Sequence, residues 1–412
     1  AAEAGGSVSH ALPSPSAASG TPRRVLVSTH SRLLWVDVET GQETVVHEGR
    51  GVYYGAFPAS EGGPAWDGRL WVVSRPHNWR ATKTEEHLLL VNTATGEIER
   101  EVATPTRFTH DAIRAGDRVY VANTEGGGLV ELEWPSLEVV QSHELFTRRE
   151  HVNTLGVFAG LPGSPHGSEP ALYATLMNMG KSVVAEIDVG QQGGAARVVR
   201  RLADVGEKSH GLVHYDGGLL LLSSGKSELI FVNLAEATAA ADRGVTYEPE
   251  VLWREERQRF MKGLIVIADV AYFGINEIGE RGNRASLDLT AELGAFSLRQ
   301  KELLWRKTLH TRGLLNIVSA PHLAPDSTYQ PVPEWKDVAT APAFDPSVDV
   351  TVEVGGFDTG GGVGSGARAA RSQALDQQRF RMGPDGAIGG GDGFHAGLGW
   401  RGRRGRHGGR GG

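Results

Sequence analysis

The sequence contains no cysteine among its 412 residues. This absence excludes disulfide bonds, thiolate metal sites, iron–sulfur clusters and cysteine nucleophiles. Long apolar runs are also missing, since the longest, Gly217–Leu222, has the length of a strand, whereas a membrane helix needs about 18 apolar residues. The sequence therefore predicts a soluble protein that does not cross a membrane.

A strong basic charge is missing as well, because 42 basic and 49 acidic residues give a net charge of −7. This balance does not indicate nucleic-acid binding by the chain as a whole. No GxxxxGKS motif is present, and nothing implies a nucleotide or flavin cofactor. We expect a monomer with a small-molecule partner. The compartment stays open, with a cytoplasmic location slightly favoured and a processed N-terminus consistent with the first residue, Ala1.

Both ends of the chain differ in composition from its middle. Residues 1–22 are small, Pro-containing and aperiodic, which predicts a disordered leader or the remnant of a targeting segment. Residues 321–412 are rich in Pro, Gly and Arg and predict a flexible tail. Its final arginine–glycine run suits RNA binding, but the favoured interpretation is a solvated low-complexity tail.

Residues 23–320 contain short strands every 8 to 12 residues, separated by turn-forming residues. Five similar four-strand units begin at VYYGAF, FTHDAI, HVNTLGV, SHGLVH and MKGLIV. A sixth inner strand, TRGLLNIV, lacks its three partners, which stand at the N-terminus instead. The repeat predicts an all-β fold, a six-bladed β-propeller closed by N-terminal strands. A seventh blade within residues 320–355 is the alternative.

Alignment of the six inner strands gives three columns. The third column is entirely apolar and reads Ala56, Ala112, Leu155, Leu212, Leu264 and Leu314. The second reads Gly55, Asp111, Thr154, Gly211, Gly263 and Gly313. The first contains no aliphatic residue and reads Tyr54, His110, Asn153, His210, Lys262 and Arg312. Because inner strands converge on the propeller axis, the first column predicts a polar ring above an apolar floor.

Three consecutive members of this ring suit a divalent metal. We predict His110, Asn153 and His210 as ligands, with His151 one step nearer the mouth. The alternative is that these histidines are structural residues with satisfied hydrogen bonds. The remaining members, Tyr54, Lys262 and Arg312, are predicted to bind an anionic substrate.

Two carboxylates follow second strands, which end at the face of the ring. Glu125 and Glu277 are therefore predicted to transfer protons in catalysis. The alternatives are that both are solvated loop acids and that Lys262 and Arg312 form structural ion pairs with Asp111 or Glu277.

The four-strand units, with strings such as SHGLVHYDGGLLLL and FTHDAIRAGDRVYVANTEG, resemble the gluconolactonase, paraoxonase and strictosidine-synthase group of six-bladed propellers. The resemblance covers roughly residues 24–320 and implies a central active site that holds calcium through Glu, Asp and Asn. The ring departs from that pattern, because it offers Asn153 with Asp111 one residue away and adds two cations.

Two functions follow. The first is a metal-assisted hydrolase or lyase that acts on a small anionic molecule. The second is a non-catalytic propeller that binds a protein or small ligand and uses the tail as an interaction arm.

Overall fold

The computed structural model describes residues 24–319, except for 61–66, 77–85, 161–163, 165, 168–169, 179, 191–193 and 280–288. Within these residues, six four-stranded antiparallel sheets form a six-bladed β-propeller, which confirms the predicted fold. No helix of this described part is long and apolar enough to cross a membrane. The predicted leader, the predicted tail and the alternative seventh blade lie outside the described residues.

The blades are numbered from the one that contains the first strand. Blade one contains β1 (Arg24–Thr29), β2 (Arg32–Asp37), β3 (Glu43–Glu48) and β24 (Leu314–Ser319). Blade two contains β4 (Val52–Pro58), β5 (Arg69–Arg75), β6 (Glu86–Asn92) and β7 (Ile98–Thr104). Blade three contains β8 (Ala112–Ala115), β9 (Arg118–Asn123), β10 (Gly128–Glu133) and β11 (Val139–Glu144).

The other three blades follow the same order along the chain. Blade four contains β12 (Val152–Ala159), β13 (Pro170–Leu176), β14 (Lys181–Asp188) and β15 (Arg197–Glu207). Blade five contains β16 (Ser209–Tyr215), β17 (Gly218–Ser223), β18 (Glu228–Asn233), the helix α1 (Leu234–Arg243) and β19 (Glu250–Arg254). Blade six contains β20 (Phe260–Ile267), β21 (Val270–Asn276), β22 (Ala291–Ser297) and β23 (Glu302–Leu309).

Blade one joins the two ends of the propeller. Its inner strand β24 comes from the end of the described chain and pairs antiparallel with β1, with Ile317 opposite Val27. This pairing was predicted from the missing partners of the sixth inner strand. It gives β1 a hydrogen-bonded neighbour on each side, so the ring closes without leaving this strand as an exposed edge.

The core consists of six hydrophobic clusters, one at each interface between neighbouring blades. Strand β17 shows why its sequence is a continuous apolar run. Leu219 and Leu221 face blade four, whereas Leu220 and Leu222 face blade six. Because successive side chains of a strand point to opposite sides, a blade buried on both sides needs apolar residues at every position.

The inner strands are irregular where they approach the axis. The pairing of the first and second strands shifts between Tyr53 and Ala56 in blade two and between Val152 and Leu155 in blade four. Such bulges turn a side chain away from its regular direction. The residues at these bulges belong to the first two columns of the alignment, so the bulges present them to the centre of the propeller.

Candidate functional site

A cavity of about 320 Å³ lies at the centre of the propeller, where the six inner strands meet. Five of the six predicted ring residues line it, namely Tyr54, His110, Asn153, His210 and Lys262. Five predicted members of the apolar column also line it: Ala56, Ala112, Leu155, Leu212 and Leu264. The structure therefore brings a polar layer and an apolar layer together around one cavity.

The ring position in blade one is occupied differently from the prediction. Arg312 does not line the cavity. In this blade the first-column position is taken by Leu315, the second by Asn316 and the third by Ile317. The reason is a bulge in β24: Asn316 pairs with Ser28 and Leu314 with Thr29, so Leu315 is the extra residue. The predicted place of Arg312 in the ring is wrong by three residues, and so is that of Leu314 in the apolar column.

Hydrogen bonds between neighbouring blades establish this register independently. A side chain following or ending the second strand of one blade donates to a carbonyl on the inner strand of the next blade. These bonds join Thr124 Oγ1 to Val152 O at 2.6 Å, Ser224 Oγ to Met261 O at 2.6 Å and Asn276 Nδ2 to Leu314 O at 2.9 Å. The residues after the three carbonyls are Asn153, Lys262 and Leu315, so Leu315 is equivalent to the other two.

Matching contacts hold the two ring histidines. Nδ1 of His110 lies 2.9 Å from the Phe108 carbonyl oxygen and 3.0 Å from Thr124 Oγ1. Nδ1 of His210 lies 2.8 Å from the Lys208 carbonyl oxygen and 2.9 Å from Ser224 Oγ. The residue two positions before each histidine has a positive φ, 61° for Phe108 and 47° for Lys208. This left-handed residue belongs to the turn whose carbonyl meets the imidazole.

The contacts of Nδ1 fix the tautomer of both imidazoles. A carbonyl oxygen only accepts hydrogen bonds, so Nδ1 carries the proton. The hydroxyl hydrogens of Thr124 and Ser224 are committed to Val152 and Met261, which leaves each hydroxyl oxygen to accept from Nδ1. Nε2 is therefore the nitrogen with the lone pair in His110 and His210.

The surroundings of His110 are cationic. Burial lowers the pKa of His110 well below its ordinary value of 6.5, and the charges of Lys262, His151 and Arg75 lower it further. Lys262 lines the same cavity, and its Nζ lies 5.8 Å from the centre of the Tyr54 ring. The imidazole of His110 is therefore neutral at physiological pH.

Arg75 supports the ring from the second strand of blade two. Its guanidinium lies 4.2 Å from the centre of the Tyr54 ring and forms an ion pair at 2.7 Å with the fully buried Glu86. The same guanidinium donates to the Thr109 carbonyl at 2.6 Å. These contacts join blade two to the strand that presents His110, and they orient Tyr54 at the cavity wall.

Asp111 is the one carboxylate among the described residues that line the cavity. Its Oδ1 accepts from the Ala112 backbone N–H at 3.0 Å, and its Oδ2 accepts from Leu155 N–H in the next blade at 2.9 Å. Burial raises the pKa of Asp111 to about 7, and the two amides oppose this rise. A β-carbon on Gly55 would stand only 1.9 Å from Oδ1, so glycine makes room for this carboxyl group.

The predicted catalytic acids do not line the cavity. Glu125 forms an ion pair with Arg148 at 2.9 Å, and Glu277 forms one with Arg259 at 3.0 Å. The Thr290 backbone N–H and Arg259 together lower the pKa of Glu277. Their assignment as proton-transfer groups stays a prediction.

His151 stands beside the ring rather than in the cavity wall. The centre of its imidazole lies 5.0 Å from that of His110 and 5.6 Å from that of the Phe108 ring. In the described part of the chain, no three His, Asp or Glu side chains converge closely enough to hold a metal ion. The set predicted for a metal therefore supplies two imidazoles in the cavity wall, with Asn153 between them in blade order.

The sequence contained a signal for two residues that the prediction did not use. Thr124 follows His110 by 14 residues, and Ser224 follows His210 by the same 14. A hydroxyl at a constant distance after a repeated histidine indicates a shared contact in equivalent blades. Asn316 carried no such signal, because its place depends on the bulge in β24.

Neither protein-family models nor curated proteins give a match to this sequence. Solved structures do give matches. A nidogen–laminin complex structure matches with 12% identity, 71% of this chain, 97% of that chain and a TM-score of 0.47. A protein of unknown function from Bacteroides caccae matches with 12% identity, 72% of this chain, 98% of that chain and a TM-score of 0.46.

A third match is the dihydro-heme d1 dehydrogenase NirN in complex with DHE, with 10% identity and a TM-score of 0.36. The match covers 72% of this chain, and this chain spans 57% of the length of that protein.

Proposed function

We propose that the central cavity binds a small anionic molecule without help from a metal ion. The observation that carries the proposal is the charge of the cavity: Lys262 lines it, whereas Arg75, behind Tyr54, is already paired with Glu86. The acid of the described wall, Asp111, already accepts two backbone N–H groups. A cationic, partly buried pocket attracts an anion, and a lysine provides a point charge for it.

Calorimetric titration with succinate and inorganic phosphate tests this proposal. We expect Lys262→Met to weaken the binding of both anions by about tenfold or more, because a charge-assisted hydrogen bond contributes roughly 1.5–3 kcal/mol. Lys301→Met is the matched control, since Lys301 pairs with Glu250 in an exposed ion pair. Binding of neither anion, or unchanged binding by Lys262→Met, would contradict the proposal.

A second candidate is the metal-assisted hydrolase or lyase suggested by the resemblance to the gluconolactonase and paraoxonase group. What favours it is the tautomer of His110 and His210, because metal-ligating histidines commonly donate their other N–H to a carbonyl. His110, His210 and Asn153 would hold the ion, with His151 nearby. A bound metal would activate water or polarise a carbonyl, while Glu125 or Glu277 would move the proton.

The residues suit a transition metal better than calcium. A calcium site needs six to eight oxygen ligands, but both Asp111 oxygens already accept backbone N–H groups. Metal analysis of the purified protein, compared with that of His110→Ala, tests this candidate. It requires stoichiometric metal in the parent protein and a loss of that metal in the variant.

A further inference from the structure

Asn153 has a buried hydrogen-bond donor in the wall of the central cavity. The side chain is 5% exposed and lines the cavity, and its Nδ2 has no hydrogen-bond partner among the described residues. The Thr154 hydroxyl accepts from the Gly211 N–H at 3.1 Å and donates to Asn153 Oδ1 at 3.4 Å, which orients the amide. A buried donor without an acceptor costs free energy, so a ligand that supplies an acceptor would be stabilised here.

His110, on the preceding blade, offers the opposite character. Its Nδ1 is bonded to Phe108 and Thr124, so Nε2, on the other side of the ring, has the lone pair. A neutral imidazole in this state accepts a hydrogen bond and rejects another acceptor. The cavity wall therefore pairs a donor on blade four with an acceptor on blade three.

Building on the proposed anion binding, we propose that the ligand is a hydroxylated carboxylate. Its carboxylate accepts from Asn153 Nδ2 and faces the charge of Lys262, while its hydroxyl donates to His110 Nε2. A simple carboxylate satisfies the amide and the charge but supplies no donor to the imidazole. The cavity volume of about 320 Å³ is in the range of small-molecule sites.

Malate and succinate form the decisive pair of probes, because they share a carbon skeleton and differ by one hydroxyl group. Calorimetric titration of the intact protein is expected to give malate a dissociation constant about tenfold lower than that of succinate. His110→Asn retains a donor near the position of Nδ1 but lacks Nε2, so the ratio of the two constants should fall to near one. His214→Asn, at an exposed position of the same inner-strand type, should leave the ratio unchanged.

Asn153→Leu tests the amide at nearly constant volume. We expect it to weaken both probes by about tenfold without lowering the melting temperature of the ligand-free protein, because it removes an unsatisfied donor. Unchanged malate affinity in Asn153→Leu would overturn the inference and would mean that the amide bonds only to water.

The outcomes separate this inference from the anion binding on which it rests. If malate and succinate bind equally and Lys262→Met weakens both, the anion proposal stands and the hydroxyl selection is overturned. If neither probe binds, both are overturned. A malate preference that survives His110→Asn overturns the role of Nε2, because another group then recognises the hydroxyl.

Discussion

Blades three and five differ at the ring position from blade one, the closing blade that joins the two ends of the propeller. His110 and His210 occupy the ring position in blades three and five, and each Nδ1 makes the same two kinds of contact, with a carbonyl and with a hydroxyl. The closing blade has Leu315 at the equivalent position. Each of the three blades nevertheless takes part in a hydrogen bond from a side chain at the end of one blade's second strand to a carbonyl on the next blade's inner strand. Each also has an apolar residue below the ring. The fold therefore constrains the second and third columns, while the first column is available for chemistry.

The second column shows the same contrast on a finer scale. Asp111 in blade three and Asn316 in the closing blade each accept a hydrogen bond from the backbone N–H of the following residue, at 3.0 Å and 2.8 Å. The two side chains have nearly the same shape, but only Asp111 titrates. Equivalent positions thus hold an equivalent structural bond with a different response to pH.

Asp111 should make the free energy of unfolding depend on pH. Its pKa is about 7 in the folded protein against an ordinary value of 3.8, so between these values the folded state binds the extra proton. Stability from this group is therefore fully present below pH 3.8 and is lost as pH rises towards 7, by on the order of 1.4 kcal/mol per pH unit. Urea denaturation at a series of pH values measures this effect.

The Asp111→Asn variant isolates the contribution of this carboxyl group. We expect the substitution to be most destabilising near pH 4 and least destabilising above pH 7, because only the parent protein gains from protonation at this site. Asn316→Ala, in the equivalent position, should cost the same at every pH. A cost of Asp111→Asn that increased with pH would show that the folded protein lowers the pKa of this carboxyl group.

Thr124 and Ser224 test whether blades three and five are truly equivalent. Thr124→Val and Ser224→Ala each remove the hydroxyl that contacts an imidazole Nδ1 and a carbonyl of the next blade. Each should lower the free energy of unfolding by roughly 1–3 kcal/mol, since a buried carbonyl loses its donor. Urea denaturation measures both changes.

The exposed Thr308 provides the control for the threonine substitution, because Thr308→Val makes the same exchange on the outer strand β23. Its effect should stay within about 0.5 kcal/mol. A large loss in only one of blades three and five would mean that the shared histidine contacts do not contribute equally.

The blade count was predictable because repeated strands with short turns are visible in a single sequence. The polar ring was predictable for the same reason, since equivalent strands place equivalent residues at the axis. The register of the closing strand was not predictable. In sequence, Gly313 and Leu314 match Gly263 and Leu264 of the preceding inner strand. The bulge at Leu315, however, depends on the pairing of β24 with Ser28 and Thr29, which lie almost 300 residues away in the chain.

The smallest expected effect concerns Arg312, which the sequence places in the ring and the structure does not. Its Nε has no hydrogen-bond partner among the described residues, and burial together with Arg32 lowers the pKa of its guanidinium. Arg312→Met should therefore leave succinate affinity within about twofold and the free energy of unfolding within about 0.5 kcal/mol. Lys262→Met, measured by the same calorimetric titration, provides the comparison, because Lys262 lines the cavity and Arg312 does not. If Arg312→Met weakened the binding of succinate as strongly as Lys262→Met, both residues would belong to the anion-binding site. That result would contradict the assignment of the ring position in the closing blade to Leu315.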